Sequence, residues 1–232
     1  MTEQAVRRIN WLLERYEDPR YLEIGVFKGI TFNSIQAHSK VAVDPKFHFD
    51  RPSHSPGTEF HETTSDVYFA NIANDSVFDV IFLDGLHTFE QTLRDFCNSI
   101  SHIHENSIII IDDTIPSDPY SAIRDQRRAI KHRESHGGKS RSWHGDTYKV
   151  VFAIHDFFPS FSYATVMDDG NPQTIVWKKS RNCCPEFDLI EEISRSDYFE
   201  FRDRISLFNP VTNAELMNII PGQNQARSTP SR

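Results

Sequence analysis

The sequence predicts an α/β fold: a doubly wound, mostly parallel sheet of seven strands, the last two forming an antiparallel hairpin. Three observations carry this expectation. Short apolar runs alternate with helix-spaced segments as far as Asp113, the pattern of a parallel sheet with right-handed crossovers. "SIIIIDD" sets four isoleucines in a row, as in a strand buried on both faces. "FSYATVM" and "QTIVWKK" flank "DDGNP", a turn too short for anything but a hairpin.

The elements follow in order. Residues 3–16 set Val6, Ile9, Leu12 and Leu13 at helical spacing, and Pro19 closes that helix. "RYLEIGV" is the first buried strand, and Gly29 to His38 is read as a helix. "KVAVDP" is a strand stopped by Pro45, and the proline-rich "KFHFDRPSHSPG" is a loop. "TEFHET" is the third strand and "SDVYFANIA" a helix, with Ser65 as its N-cap. "FDVIFL" is the fourth strand, followed by a helix to about His102, within which Glu90 and Arg94 are spaced for an ion pair. "GDTYKVVFAIHDFF" is read as a helix from its length and its Gly145-Asp146 start. The expected division is a domain over residues 1–180 and an extension over 181–232, where the pattern weakens and "PGQNQARSTPSR" has the composition of a disordered tail.

Composition narrows the function. A formal charge of −8 opposes general binding to nucleic-acid backbones. Three cysteines, with Cys183 and Cys184 adjacent, form neither a disulfide framework nor a zinc pattern, which fits a reducing, cytoplasmic setting. The charged first segment has no apolar run of signal-peptide or membrane-span type.

"LEIGVFKGITF" places Gly25 and Gly29 at the first strand-to-helix turn, where doubly wound, Rossmann-like folds receive a nucleotide cofactor. Phe27 stands where a dinucleotide fingerprint needs its middle glycine, so close approach of a pyrophosphate is disfavoured. Glu23 inside the strand can address an ammonium, and the helix start a carboxylate. A cofactor with an amino acid end and no phosphates, such as S-adenosylmethionine, meets both. Asp44 ends the second strand about 20 residues after the turn, where an acidic side chain accepts ribose hydroxyls.

Glu23-Ile-Gly25-Val-Phe-Lys-Gly29-Ile-Thr31 resembles the first motif of class I S-adenosylmethionine-dependent methyltransferases. The form is that of catechol O-methyltransferase-like and macrocin O-methyltransferase-like enzymes (methyltransferase domain family 24), and the resemblance covers roughly residues 20 to 180. It implies that Glu23, Gly25 and Thr31 surround the methionine end, that Asp44 holds the ribose, and that Ser65 and Asp66 lie near the adenine.

Asp84 ends the fourth strand and Asp112-Asp113 the fifth. Parallel neighbours run about 5 Å apart, so these carboxylates converge and repel unless a cation sits among them. Oxygen ligands with room for water suit Mg²⁺ or a similar hard divalent ion, which can lower the pKa of a hydroxyl. The plainer reading is that such aspartates only cap turns and helices. The resemblance favours the metal, because metal-dependent O-methyltransferases carry acidic residues at both strand ends. His87, three residues past Asp84, is placed to accept a proton near neutrality. Catechol-type enzymes carry Asp-x-x-Lys there, whereas macrocin and mycinamicin O-methyltransferases carry Asp-x-x-His, the form found here. His102, His104 and His132 are read as surface residues without a role in the site.

"RDQRRAIKHRESHGGKSRSWHGD" is locally basic: either a solvated helix face or a lid for an anionic acceptor, with Trp143 as a stacking surface for a sugar ring. The expected function is Mg²⁺-dependent O-methyl transfer from S-adenosylmethionine to a hydroxyl of a sugar, in a glycan, nucleotide sugar or glycosylated natural product. A catechol or phenol acceptor is the alternative within enzymes, and a non-catalytic binding module the alternative outside them. The sequence leaves a monomer or a homo-oligomer open.

Overall fold

A computed structural model describes residues 2–51, 56–168 and 170–221. The chain runs α1 (Thr2–Leu13), β1 (Arg20–Ile24), α2 (Ile30–Ser34), β2 (Ser39–Asp44), β3 (Thr58–Glu62), α3 (Ser65–Asn71), β4 (Phe78–Leu83), α4 (Phe89–Ile100) and β5 (Ile103–Ile111). It continues through α5 (Gln126–Ser135), α6 (Lys149–Phe157), β6 (Phe161–Val166) and β7 (Gln173–Lys178). The last described part adds α7 (Ile190–Arg195), α8 (Tyr198–Asp203), a 3₁₀ turn (Ile205–Phe208), β8 (Pro210–Val211) and α9 (Asn213–Ile219).

All these strands form one sheet in the order β3-β2-β1-β4-β5-β7-β6-β8. From β3 to β5 every pairing is parallel, while β7 pairs antiparallel with both β5 and β6. The isoleucine run behaves as a central strand should. Ile109 and Ile111 enter one core with Phe96, Val151 and Phe152, and Ile108 and Ile110 enter the other with Ile9, Leu12 and Phe32. Burying such a side chain contributes about 1.5–3 kcal/mol, so this strand fixes the sheet between two apolar layers.

Four expectations are corrected in detail. The helix expected from Gly29 to His38 ends at Ser34, because Ile35 turns extended and Lys40 Nζ takes the carbonyls of Phe32 and Ile35 at 3.0 and 3.2 Å. The cap of α3 is Thr64, whose hydroxyl accepts from Val67 N–H; Ser65 lies inside the helix. Glu90 and Arg94 do not pair with each other: Arg94 reaches Asp66 at 2.9 Å and Glu90 binds Arg124. The described residues give eight strands rather than seven, since β8 adds a two-residue parallel edge beside β6.

Residues 181–221 pack on the same layers. Phe187, Ile193, Phe201 and Phe208 join one core and Leu216 and Ile220 the other. Their helices are only six or seven residues long, too short for a periodic pattern to accumulate in the sequence. The expected disordered tail lies, beyond Pro221, outside the described residues. Cys97, Cys183 and Cys184 are free thiols, and no helix among the described residues is long and apolar enough to cross a membrane.

Candidate active site

Three strand ends meet in register at the carboxyl edge of the sheet. One residue past each ladder, Gly25 N–H donates to Val43 O at 2.9 Å, Asp84 N–H to Ile24 O at 2.8 Å and Asp112 N–H to Leu83 O at 3.0 Å. The first turn therefore lies against the fourth strand's end. Gly25 has φ +88°, and a Cβ there would stand 2.0 Å from the Asp84 carbonyl oxygen, so no other residue fits.

A cavity of about 750 Å³ opens at this edge. At one end it is walled by Glu23, Gly25, Thr31 and Asp44, and further along by Ser65 and Asp66. Gly29 is not on the wall; at φ +69° it turns the chain into α2. Asp44 braces the glycine turn, its Oδ2 accepting Phe27 N–H at 2.8 Å and its Oδ1 Lys46 N–H at 2.7 Å. That brace holds Phe27 at a positive φ of 48°. Glu23 is 1% exposed and accepts from Tyr21 OH at 2.6 Å, both side chains lying on one face of β1. Burial pushes its carboxyl up to about 8, so a cationic ligand beside it would recover the lost ionisation.

Two residues that the sequence reading missed complete the Ser65 end. Gln91 Nε2 donates to Ser65 Oγ at 3.2 Å, Asp66 Oδ1 at 3.1 Å and Asp95 Oδ1 at 3.0 Å. Asp95 is buried, and burial lifts its carboxyl to about 6. The available signal was a polar pair four residues apart on the buried face of α4, beside Thr92 and Phe96.

Another part of the wall carries Asp84, His87 and Trp143, with Asp84 lying directly against the glycine turn. Donor atoms of Asp84, His87 and Asp113 all lie within 4.8 Å of one another. His87 Nδ1 stands 3.0 Å from Asp113 Oδ2, and Nε2 3.8 Å from Asp84 Oδ1. Asp112, expected as a third ligand, stands one step outside this group. Its Oδ1 accepts Asp113 N–H at 3.0 Å and Asn171 Nδ2 at 2.9 Å, while Asp113, at φ 57°, swings its carboxylate toward His87. Asn171 also donates to Asp113 Oδ1, so the turn between β6 and β7 clamps the pair. Spacing along the chain gave no sign of this contact.

The electrostatics are those of crowded, partly buried acids. Burial raises Asp84 well above the usual carboxylate range, with Asp112 and Asp113 adding to the effect. Asp112 rises to about 6 from burial and from Asp113, and Asp113 rises from burial. Burial lowers His87 below the ordinary imidazole value, against the pull of Asp112. Two carboxylates and an imidazole, with repulsion to relieve, form a donor set that fits a divalent cation such as Mg²⁺ or Mn²⁺.

The basic run divides in function. Arg133 is buried and structural, binding Asp118 and the carbonyls of Ser140 and Ser142. Arg127, Arg128, Lys131, Lys139 and Arg141 are exposed, while Gln126 and Trp143, near the two ends of the segment, touch the cavity. Trp143 meets His87 edge to face at 5.1 Å between ring centroids.

Residues 22–114, from β1 to just past Asp113, match the family described as a methyltransferase domain. Among solved structures, cofactor-bound Rv0187 from MTB superposes with a TM-score of 0.52 over 78% of this chain and 82% of its own, at 13% identity. The O-methyltransferase from Bacillus cereus in complex with SAH gives 0.51 over 76% and 81%, at 14% identity. Likeness at such identity shows the fold, a Rossmann-like sheet, and residues 22–114 are similar to the methyltransferase-domain family. No curated protein sequence matches the chain.

Proposed function

We propose that this protein catalyses divalent-metal-dependent O-methyl transfer from S-adenosylmethionine to a sugar hydroxyl. The observation that carries the reading is one cavity whose wall holds both the glycine turn and Asp84 and His87, backed by Asp113. When bound, S-adenosylmethionine supplies the sulfonium methyl that passes to the acceptor oxygen, and a divalent cation supplies charge that acidifies a hydroxyl beside it.

The chain's own residues divide the work. Gly25, with no side chain, lets the glycine turn pack directly on the Asp84 backbone and lines the cavity where the amino acid end would lie, and Glu23 would face its ammonium. Asp44 keeps the second lone pair of each oxygen for ribose hydroxyls, because each already accepts only one backbone N–H. Gln91, Ser65, Asp66 and Asp95 supply the donors and acceptors for the base. Asp84 and Asp113 would hold the cation. His87 presents Nδ1 to Asp113, which leaves Nε2 to take the proton of the acceptor hydroxyl. Positioning the two substrates in one cleft supplies much of the acceleration.

A sugar is favoured over a catechol by Trp143, an aromatic surface beside the base on which the apolar face of a sugar ring can rest. The exposed cations of the 124–141 segment, in a chain of net charge −8, favour an acceptor that carries phosphate or another anion. The test is methyl incorporation from labelled S-adenosylmethionine into neutral sugars, sugar phosphates, nucleotide sugars and catechols, with Mg²⁺ and with EDTA. Transfer to a sugar that EDTA abolishes supports the proposal. Transfer that survives EDTA removes the cation from it, and transfer to catechols alone removes the sugar.

A further inference from the structure

The segment Trp143-His144-Gly145-Asp146 is fitted to the acid end of the cleft more closely than a lid would be. Gly145 has φ +61°, and a Cβ on it would stand 1.8 Å from the His87 carbonyl oxygen, so the two backbones are in contact. Asp146 Oδ1 accepts Phe89 N–H at 2.9 Å and satisfies the start of α4, the helix that follows His87. Trp143 donates from Nε1 to Ile123 O at 2.7 Å while its ring meets His87. Arg133 ties the same segment, through Ser140 and Ser142, to Asp118 in the loop that leaves Asp113.

Between these fixed points lies His144, with a side chain 7% exposed. Its Nε2 faces Asp113 Oδ1 at 3.7 Å, and its Nδ1 is buried with no hydrogen-bond partner. A buried N–H without an acceptor is the rarer and costlier orphan, so the ring places its proton on Nε2, toward the carboxylate, and leaves the bare lone pair at Nδ1. At 3.7 Å the contact is electrostatic rather than a hydrogen bond. Asp113 is thus held on both oxygens, Oδ1 by His144 and Asn171, and Oδ2 opposite His87 Nδ1.

We infer that His144 is a positioning residue: it fixes the Asp113 carboxylate so that Oδ2 faces His87 and keeps the His87 proton on Nδ1. The acid, the base and the orienting imidazole then come from β5, the α4 entry and the α6 entry, locked by Gly145 and Asp146. This role rests on the reading of the cleft as a cation and proton-transfer site, but one of its two readouts needs neither cation nor turnover.

The experiment compares full-length wild type with His144→Leu, His144→Gln and His144→Asn. Imidazole ¹⁵N–¹H correlation spectra in EDTA report the His87 tautomer, and Mn²⁺ binding is followed by paramagnetic resonance. Wild type is expected to show His87 protonated on Nδ1 alone. The Leu and Asn variants should show mixed tautomers and Mn²⁺ binding weaker by about 10-fold or more, whereas Gln, long enough to keep an N–H on Asp113, should restore both. Wild-type spectra and affinity in the Leu variant overturn the inference. If Leu fails to fold, equal behaviour of the Gln and Asn variants overturns it just as well. Absence of Mn²⁺ binding in wild type would instead strike the cation reading and leave the tautomer comparison to decide the role of His144.

Discussion

The two ends of the cleft are built in different ways. The glycine-turn end takes Glu23, Gly25 and Thr31 from one short stretch and Asp44 from the next strand, all within a single βαβ unit. The acid end takes Asp84 and His87 from one turn, Asp112 and Asp113 from the next strand end, His144 from the entry to α6 and Asn171 from a hairpin. The first can be read as a motif because chain connectivity alone brings its parts together. The second exists only once the sheet has closed, so its side chains answer to tertiary packing. Damage to one end should leave the other working, except where the two share backbone.

Gly25 is where they share it, and Gly25→Ala should have the largest effect. Its Cβ would meet the carbonyl and carbon of Asp84, which are backbone atoms that cannot rotate aside. With a positive φ also to be paid, the expected loss of stability is at least about 3 kcal/mol. Denaturant unfolding should show that loss, and calorimetry should show no S-adenosylmethionine binding. A folded variant that still binds would mean that the strand ends are not in contact.

His87→Ala should separate the ends cleanly. Turnover is expected to fall by about 100-fold or more, while S-adenosylmethionine affinity stays within about twofold of wild type. Mn²⁺ affinity sharpens the result. Unchanged affinity leaves His87 as the base, whereas a parallel loss makes it a ligand alongside Asp84 and Asp113, whose donor atoms share its 4.8 Å cluster.

Glu23 tests the cofactor end by pH. Its carboxyl titrates at about 8 in the folded chain against an ordinary 4.5, so between those values the folded state holds a proton that the unfolded state has lost. Raising the pH through that window therefore lowers stability, by up to about 1.4 kcal/mol per pH unit. Glu23→Gln keeps the acceptor for Tyr21 OH and should flatten the slope in unfolding curves from pH 5 to 8. Bound S-adenosylmethionine should flatten it in wild type, with proton release seen in calorimetry across buffers of different ionisation enthalpy. A slope equal in wild type and variant would show that Glu23 ionises freely.

The same contrast explains what could be read from sequence. The alternation of elements, the isoleucine strand and the hairpin follow from local period and turn chemistry, and the sheet order agrees with them. Asp84 and His87 were visible because a strand-end turn presents them to the cleft. His144 and Asn171 were not, because a lone histidine in a basic run and an asparagine in a turn carry no periodic signal. Within the basic run one residue was illegible for a related reason: composition cannot distinguish the buried clip Arg133 from its solvated neighbours. The segment beyond Ser180 was obscured because its buried apolar residues are spread singly over several short helices.

The smallest expected effect concerns one residue's place at a helix start. Reading Ser65 as the cap of α3 would make it structural, but Thr64 is the cap and leaves Ser65 facing the cavity with Gln91 on its hydroxyl. Thr64→Ala should cost about 1 kcal/mol in denaturant unfolding and barely move cofactor affinity. Ser65→Ala should do the reverse, leaving stability within about 0.5 kcal/mol while weakening S-adenosylmethionine binding through loss of the Gln91 contact. If the two variants exchanged these signatures, Ser65 would return to the cap, and Asp66 alone would join α3 to α4 through Gln91 and Arg94.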